Sequence, residues 1–347
     1  MSETAERVVS TIQHPAHVHF FRNAIGELED RGYDVHVFAR EKDLVRDLLE
    51  AYDIEYRTLA AEPGNLYELA KVQAKYEYEV IRRTRELEPA ALMAIAEPSI
   101  THASRVSGGR SVLFTDTEHA TVQNLLAFPF SDVICTPDSF RDDLGSNHVR
   151  YSGYHELAYL HPDRFSPDPT VLDRIGADAD ETLVVLRLVS WTAAHDVGKD
   201  GLQEVEPLVE RLEAAGCRVV ISAEAALPPS LADREVSVPP HRIHDLLSHA
   251  DLLIGESGTM TIESALLGTP AMFVSPFSAG VLTELEDRYG LVFSRSETET
   301  PADLSRLATT IVAADPAIWQ RRRRALLEEK IDTTAFIVHA VEQVIDA

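Results

Sequence analysis

Short apolar runs and longer helix-patterned stretches take turns along almost the whole chain, and the series starts twice. RVVSTI (7–12), YDVHVFA (33–39), AALMAIA (90–96), SVLFT (111–115) and DVICTP (132–137) read as strands. The spacing predicts helices over 17–31, 41–51 and 64–87 among them. The alternation begins again at TLVVLRLVS (182–190) and runs through CRVVIS, DLLIG and PAMFV, with helices predicted near 200–215, 241–248 and 257–267. Apolar strands separated by helices are the pattern of parallel sheets covered on both faces. The segment YSGYHELAYLHPDRFSPDP (151–169), rich in proline and aromatic residues, breaks the alternation and reads as a linker. The expected organisation is α/β, with two doubly wound Rossmann-like domains, 1–160 and 161–347, facing a cleft. Two helices are expected over 316–346, separated near Asp332, the last of them free to pack back on the N-terminal domain. In open α/β sheets ligands gather beyond the carboxyl ends of the strands, so the loops that leave the strands are where chemistry is sought.

Composition narrows the classes. The 347 residues carry a formal charge of −25, spread along the chain, and only five lysines (42, 71, 75, 199 and 330). A dispersed acidic surface keeps a protein soluble where high salt screens its self-repulsion, which points to a halophile cytoplasm. With no large basic face, sequence-independent nucleic-acid binding is not expected. MSETAERVVS has neither the basic start nor the apolar core of a signal peptide, and no apolar run reaches the roughly 18 residues of a membrane span. Cys135 and Cys217 fit no metal or redox spacing and read as buried thiols.

The most informative stretch is LLIGESGTMTIESALLGTPAMFV (252–274). A strand ends at Gly255; Ser257, Gly258 and Thr259 open a helix that closes at Gly268. A Ser-Gly-Thr turn at a helix start offers backbone N–H groups, hydroxyl donors and the positive end of the helix dipole, which suit a phosphate or diphosphate. Glu263, one turn further on, is placed to accept from ribose hydroxyls. Plain helix capping by Ser257 or Thr259 with a surface Glu263 is the alternative.

GESGTMTIESALLGTP resembles the donor-nucleotide signature of GT-B glycosyltransferases and of the related UDP-N-acetylglucosamine 2-epimerases. The resemblance implies that Ser257, Gly258 and Thr259 bind diphosphate and that Glu263 binds ribose. PPHRIHDLLSHADLLIG resembles the segment that frames the nucleobase, with main-chain groups near Arg242 and Ile243. More closely, the chain is similar over most of 7–345 to domain-of-unknown-function family 354, common in archaea, in HPAHVHFF, TDTEHA, LVSWTAAHDVG, PPHRIHDLL and GESGTMTIESALLGTPA. That family names no reaction.

The crowded histidines of QHPAHVHFF (13–21) have three readings: a metal site, a catalytic base, or loop polarity. The lipid-linked N-acetylglucosaminyltransferases of peptidoglycan synthesis carry a Gly-Gly-His-Val turn in the same place, and His17 lies fifteen residues before Gly32, as in that turn. The likeness puts His17 on the acceptor side as a base, since imidazole titrates near working pH. HPAH in place of the glycine-rich turn argues against a backbone approach to phosphate there. His17 and His19 straddle the expected helix start and diverge, which disfavours metal.

LFTDTEHATVQN (113–124) puts Asp116, Glu118 and His119 at a strand end, where the transferases keep a His-Glu-Gln-Asn turn and the epimerases a catalytic glutamate. Asp116 and Glu118 are expected to act on one another as a catalytic pair, with N-capping as the alternative. Glu97, in AEPS, ends the preceding strand and could line the same cleft. In LRLVSWTAAHDVGKDG (186–201), by resemblance the loop that faces the diphosphate, Arg187 and Ser190 suit phosphate, Trp191 suits the sugar or base, and His195 stands where the epimerases carry a catalytic histidine. Arg187 could equally bridge structurally. RRRR (321–324) reads as a solvated helix face, with contact to anionic lipid as the alternative for an enzyme whose acceptor is lipid-linked.

The resulting expectation is a glycosyltransferase moving a sugar from a nucleoside-diphosphate sugar to a hydroxyl acceptor, cytoplasmic or peripheral at the inner membrane face, using no cofactor and no metal. An epimerase acting through Asp116, Glu118 and His195, and a non-catalytic nucleotide-sugar binder, remain open beside it.

Overall fold

A computed structural model describes residues 5–40, 43–60, 66–118, 121–178, 180–189, 202, 204–236 and 238–347. It divides into two compact units, Met1–Arg164 with Lys330–Ala347, and Phe165–Glu329.

The first unit holds seven parallel strands: β1 (Arg7–Ile12), β2 (Asp34–Arg40), β3 (Tyr56–Ala60), β4 (Ala91–Ile95), β5 (Arg110–Phe114), β6 (Val133–Pro137) and β7 (His148–Tyr151). Their order is β3-β2-β1-β4-β5-β6-β7. The chain winds outward from β1 to β3, returns to the other side of β1 at β4 and winds outward again. The topological switch therefore lies between β1 and β4, the position at which such sheets bind ligands. Val9, Leu92, Ala94 and Leu113 bury the sheet centre against Tyr76, Val80 and Ile100 from the covering helices.

The second unit holds β8 (Thr182–Leu188), β9 (Cys217–Ala223), β10 (Leu252–Gly255), β11 (Ala271–Val274) and β12 (Val292–Arg295), all parallel, in the order β12-β11-β10-β8-β9. Every residue of β10 and β11 is buried, as strands covered on both faces require. The switch here lies between β8 and β10. At that point Gly255 pairs with Arg187, and a Cβ on Gly255 would come within 2.7 Å of Arg187 Cβ and 2.8 Å of its carbonyl oxygen. Only glycine allows the two strand ends this approach.

β3, β7 and β12 have no counterpart in the sequence reading: they are sheet-edge strands (YRTLA, HVRY and VFSR) whose polar residues interrupt the apolar run that marks the buried strands. The last helix, Thr333–Ile345, belongs to the first unit. Asp332 caps it, accepting from Thr334 N at 2.9 Å, and also receives the Arg164 guanidinium at 2.6 Å. Arg164 also reaches Glu27 at 2.8 Å. One arginine thus ties together the first helix, the segment that leaves the unit and the segment that returns to it.

The four arginines 321–324 are not one solvated face. Arg322 donates to Gly290 O and lies over the Trp319 ring, and Arg323 donates to Leu266 O beside Gly268, leaving Arg321 and Arg324 exposed. Burial pushes the Cys135 thiol up to about 12, as an inert core cysteine requires. No described helix is long and apolar enough to cross a membrane.

Candidate functional site

In the first unit the groups of interest lie on loops that leave β1, β4 and β5, three adjacent strands. After β1 the helix Pro15–Asp30 begins two residues earlier than the sequence suggests, because Pro15 takes its first position and His14 caps it, Nδ1 accepting from Ala16 N at 3.2 Å. His17 and His19 therefore both lie inside the helix and do not straddle its start. His19 is buried against Tyr159 and Tyr52. His17 is half-buried, and its Nδ1 accepts from Gln13 N at 3.5 Å. Among the described residues no three His, Cys, Asp or Glu side chains converge as metal ligands.

After β4, Ala96 sits at φ +40°, a backbone region that a non-glycine residue occupies only when its surroundings force it, and Glu97 follows, 1 % exposed. Ser99 donates to Glu97 Oε1. Thr11 and Gln13 lie against the carboxyl and Arg40 acts on it through space, but burial outweighs them and raises its pKa. Tyr76, wholly buried beside this carboxyl, is pushed up by burial and then by Glu97. The signal for Glu97 was present in AEPS; its depth was not.

After β5, Asp116 and Glu118 do not form the expected pair. The loop turns between them: Asp116 Oδ1 accepts from Thr117 Oγ1 at 2.9 Å, whereas Glu118 accepts from Arg141 N at 3.3 Å, toward the β6–β7 connection. His155, not singled out by the sequence, lies behind Asp116 with Nδ1 3.5 Å from Oδ2. Its burial lowers its pKa, and Asp116 opposes that shift only in part. His119 lies outside the described residues.

In the second unit the loops after β8 and β10 meet at the strand switch. Ser257 caps the helix Gly258–Leu267, accepting from Met260 N at 3.3 Å. Among the described residues the amides of Gly258 and Thr259 have no hydrogen-bond partner. Glu256, which the sequence reading passed over, accepts from Val189 N at 2.8 Å and from Leu202 N, tying the β8 loop to the β10 turn. Gly258 needs neither of glycine's usual freedoms. Its φ is not left-handed, and among the described residues a Cβ there would meet only Leu282 Cδ1 at 3.8 Å.

Arg187 takes the structural alternative: its guanidinium bonds Ser222 at 3.0 Å and Glu224 at 2.5 Å, both on or next to β9. Glu263 is not a surface residue; it is 4 % exposed and meets His244 Nε2 at 2.9 Å, itself buried. The pair fastens the helix Gly258–Leu267 to the short helix Ile243–Ser248. Arg242 is held by Asp168 at 2.8 Å and by Asp245, while its N–H and that of Ile243 close a tight turn on Pro239 and Pro240. The amides expected to frame a nucleobase are thus already engaged. Ser190, Trp191 and His195 lie outside the described residues.

Two doubly wound parallel sheets in one chain define a GT-B-type fold. Solved structures that share it include the UDP-GlcNAc 2-epimerase of Neisseria meningitidis bound to UDP-GlcNAc (TM-score 0.70, 11% identity, covering 97% of this chain and 99% of that one) and the glycosyltransferase VinC in complex with dTDP (TM-score 0.66, 12% identity, 98% and 99%). At such identities the likeness is one of fold. By sequence the chain belongs to the family described as protein of unknown function DUF354, matched over residues 7–341. An uncharacterized protein of Methanocaldococcus jannaschii is 25% identical over 275 residues, 75% of this chain and 79% of its own length.

Proposed function

We propose that the protein is a glycosyltransferase that takes a nucleoside-diphosphate sugar as donor and passes the sugar to a hydroxyl acceptor. The observation that carries this reading is Gly258. At the start of a ten-residue helix stands a glycine that, among the described residues, packing does not require and whose amide and that of Thr259 have no hydrogen-bond partner. A diphosphate lying against the backbone would require it, and there the helix dipole and N–H groups would stabilise the charge of the leaving nucleotide. Ser257 and Thr259 flank that contact, and Glu263, with His244 beside it, stands one turn along for the ribose. The turn at Arg242 and Ile243 would wall the base. Arg187, tied to Glu224, supports the strand end rather than the phosphate. Ser190, Trp191 and His195 complete the proposed donor loop.

On the acceptor side Asp116 suits the base, because it reaches solvent at a strand end. His17, half-buried in the first turn of its helix, suits a contact to the acceptor, and Glu118 holds the loop. Fold neighbours include proteins named as glycosyltransferases and as UDP-GlcNAc 2-epimerases. The second reading, an epimerase, draws support from Glu97: a carboxyl biased to keep its proton, one strand from a solvent-reaching carboxyl, is the unlike pair that acid–base chemistry uses. Calorimetric titration of UDP and then UDP-GlcNAc, with and without molar KCl, tests donor binding. A product that forms only when an acceptor is added separates transferase from epimerase. No binding by UDP or any other nucleoside diphosphate refutes both.

A further inference from the structure

We propose that His155 is the positioning residue of Asp116: an uncharged imidazole that donates from Nδ1 to the carboxylate and holds it in place to receive the acceptor's proton. The inference rests on the reading of Asp116 as base. His155 lies in the segment that follows β7. Its ring is 7 % exposed and packs on Phe20 at a centroid distance of 4.4 Å, in a group of rings that includes Phe114. An apolar ring would suit such a slot better than imidazole, whose burial has a cost unless a partner offsets it. The partner is Asp116, with Oδ2 3.5 Å from Nδ1.

The other ring nitrogen decides the tautomer. Nε2 is buried and has no hydrogen-bond partner among the described residues. A proton on Nε2 would bury an unanswered donor, whereas a proton on Nδ1 faces a carboxylate. Burial disfavours a proton on both, which keeps the ring neutral. The groups around the pair are consistent with this state. Thr117 Oγ1 donates to Asp116 Oδ1, and the deeply buried Tyr151 hydroxyl is held un-ionised by burial, with the Asp116 charge adding to the effect. Glu156, the next residue in the chain, is also buried. Oδ1 of Asp116 thus accepts from Thr117 and Oδ2 faces the imidazole, while the side chain keeps 22 % exposure.

In the proposed reaction the acceptor O–H bond breaks and its proton passes to the Asp116 carboxylate. The acceptor oxygen bonds the anomeric carbon, and the carbon–oxygen bond to the diphosphate breaks, its electron pair leaving with the nucleotide. His155 neither gains nor loses a proton in this step.

Nitrogen-15 NMR of histidine-labelled full-length protein reads the assignment directly. The wild-type His155 signal is expected to show a neutral ring protonated on Nδ1 at pH 6, and to move on Asp116→Asn. A proton on Nε2, a charged ring, or a signal indifferent to Asp116→Asn overturns the proposal. His155→Phe fills the slot without a donor, and His155→Asn returns a donor near the Nδ1 position. With UDP-GlcNAc as donor and water standing in as the hydroxyl acceptor, UDP release at saturating donor should fall tenfold or more in His155→Phe and recover in His155→Asn, with UDP affinity unchanged in both. Equal turnover in the two variants also overturns the proposal. Absence of UDP binding would instead sink the nucleotide-sugar reading, and the NMR result would still decide whether the imidazole serves Asp116.

Discussion

Gly255 and Gly258 stand three residues apart on one turn, and the geometry predicts opposite outcomes for the same substitution. In Gly255→Ala the added Cβ meets Arg187 Cβ at 2.7 Å and Arg187 O at 2.8 Å, separations that real side chains do not tolerate. Two of the three nearest atoms are backbone, so β8 or β10 must shift. Overpacking of this kind costs about 1–3 kcal/mol. For a unit of this length that is a fall in melting temperature of about 2–12 °C. In Gly258→Ala the new methyl finds, among the described residues, only Leu282 Cδ1 at 3.8 Å, an ordinary contact. Alanine there limits the unfolded chain and should stabilise by about 0.4–1 kcal/mol. The same methyl would stand where the proposed diphosphate approaches the backbone, and UDP affinity should fall tenfold or more, about 1.4 kcal/mol. Thermal unfolding and UDP calorimetry on both variants separate the roles. Wild-type UDP affinity in Gly258→Ala would remove the phosphate from this turn, and wild-type stability in Gly255→Ala would refute the steric argument.

Further outcomes can be checked on the same preparation. Glu97 has its pKa raised by burial, so its contribution to stability is fully present below the carboxylate's unfolded pKa and is lost as pH rises through the folded value. Glu97→Gln should abolish that loss, gaining on wild type as pH rises from 4 to 8 in denaturant unfolding; parallel pH profiles would count against a protonated Glu97. His244→Ala leaves Glu263 buried without its 2.9 Å partner and should cost about 1–3 kcal/mol, while Glu263→Gln, which can keep the bond, should cost less. Asp332→Ala removes both the cap of the last helix and the Arg164 contact and should lower stability by about 1–2 kcal/mol; an unchanged unfolding midpoint would show that the helix docks without them. A charge of −25 predicts that molar KCl raises the melting temperature, and a fall would argue against a surface adapted to salt.

Sequence pattern alone determined the layered α/β class, the two sheets, and the helix Gly258–Leu267 closed by Gly268, because burial on both faces forces continuous apolar strands and because capping residues and glycines mark helix ends. β3, β7 and β12 escaped it: at the sheet edge they carry Arg57, Arg150 and Arg295, and so show no continuous apolar run. Side-chain partners were decided only in three dimensions. Arg187 could be read as a phosphate ligand until β9 brought Ser222 and Glu224 beside it, and Glu263 as a surface residue until His244 met it from nineteen positions upstream. The likeness of Asp116 and Glu118 in sequence concealed a loop that sends one toward His155 and the other toward Arg141. Sequence spacing governs which residues share a strand end or a helix turn, because local backbone geometry repeats. It carries no term for contacts made across the sheet, and the charge state of Glu97, the tautomer proposed for His155 and the need for glycine at 255 are all set by such contacts.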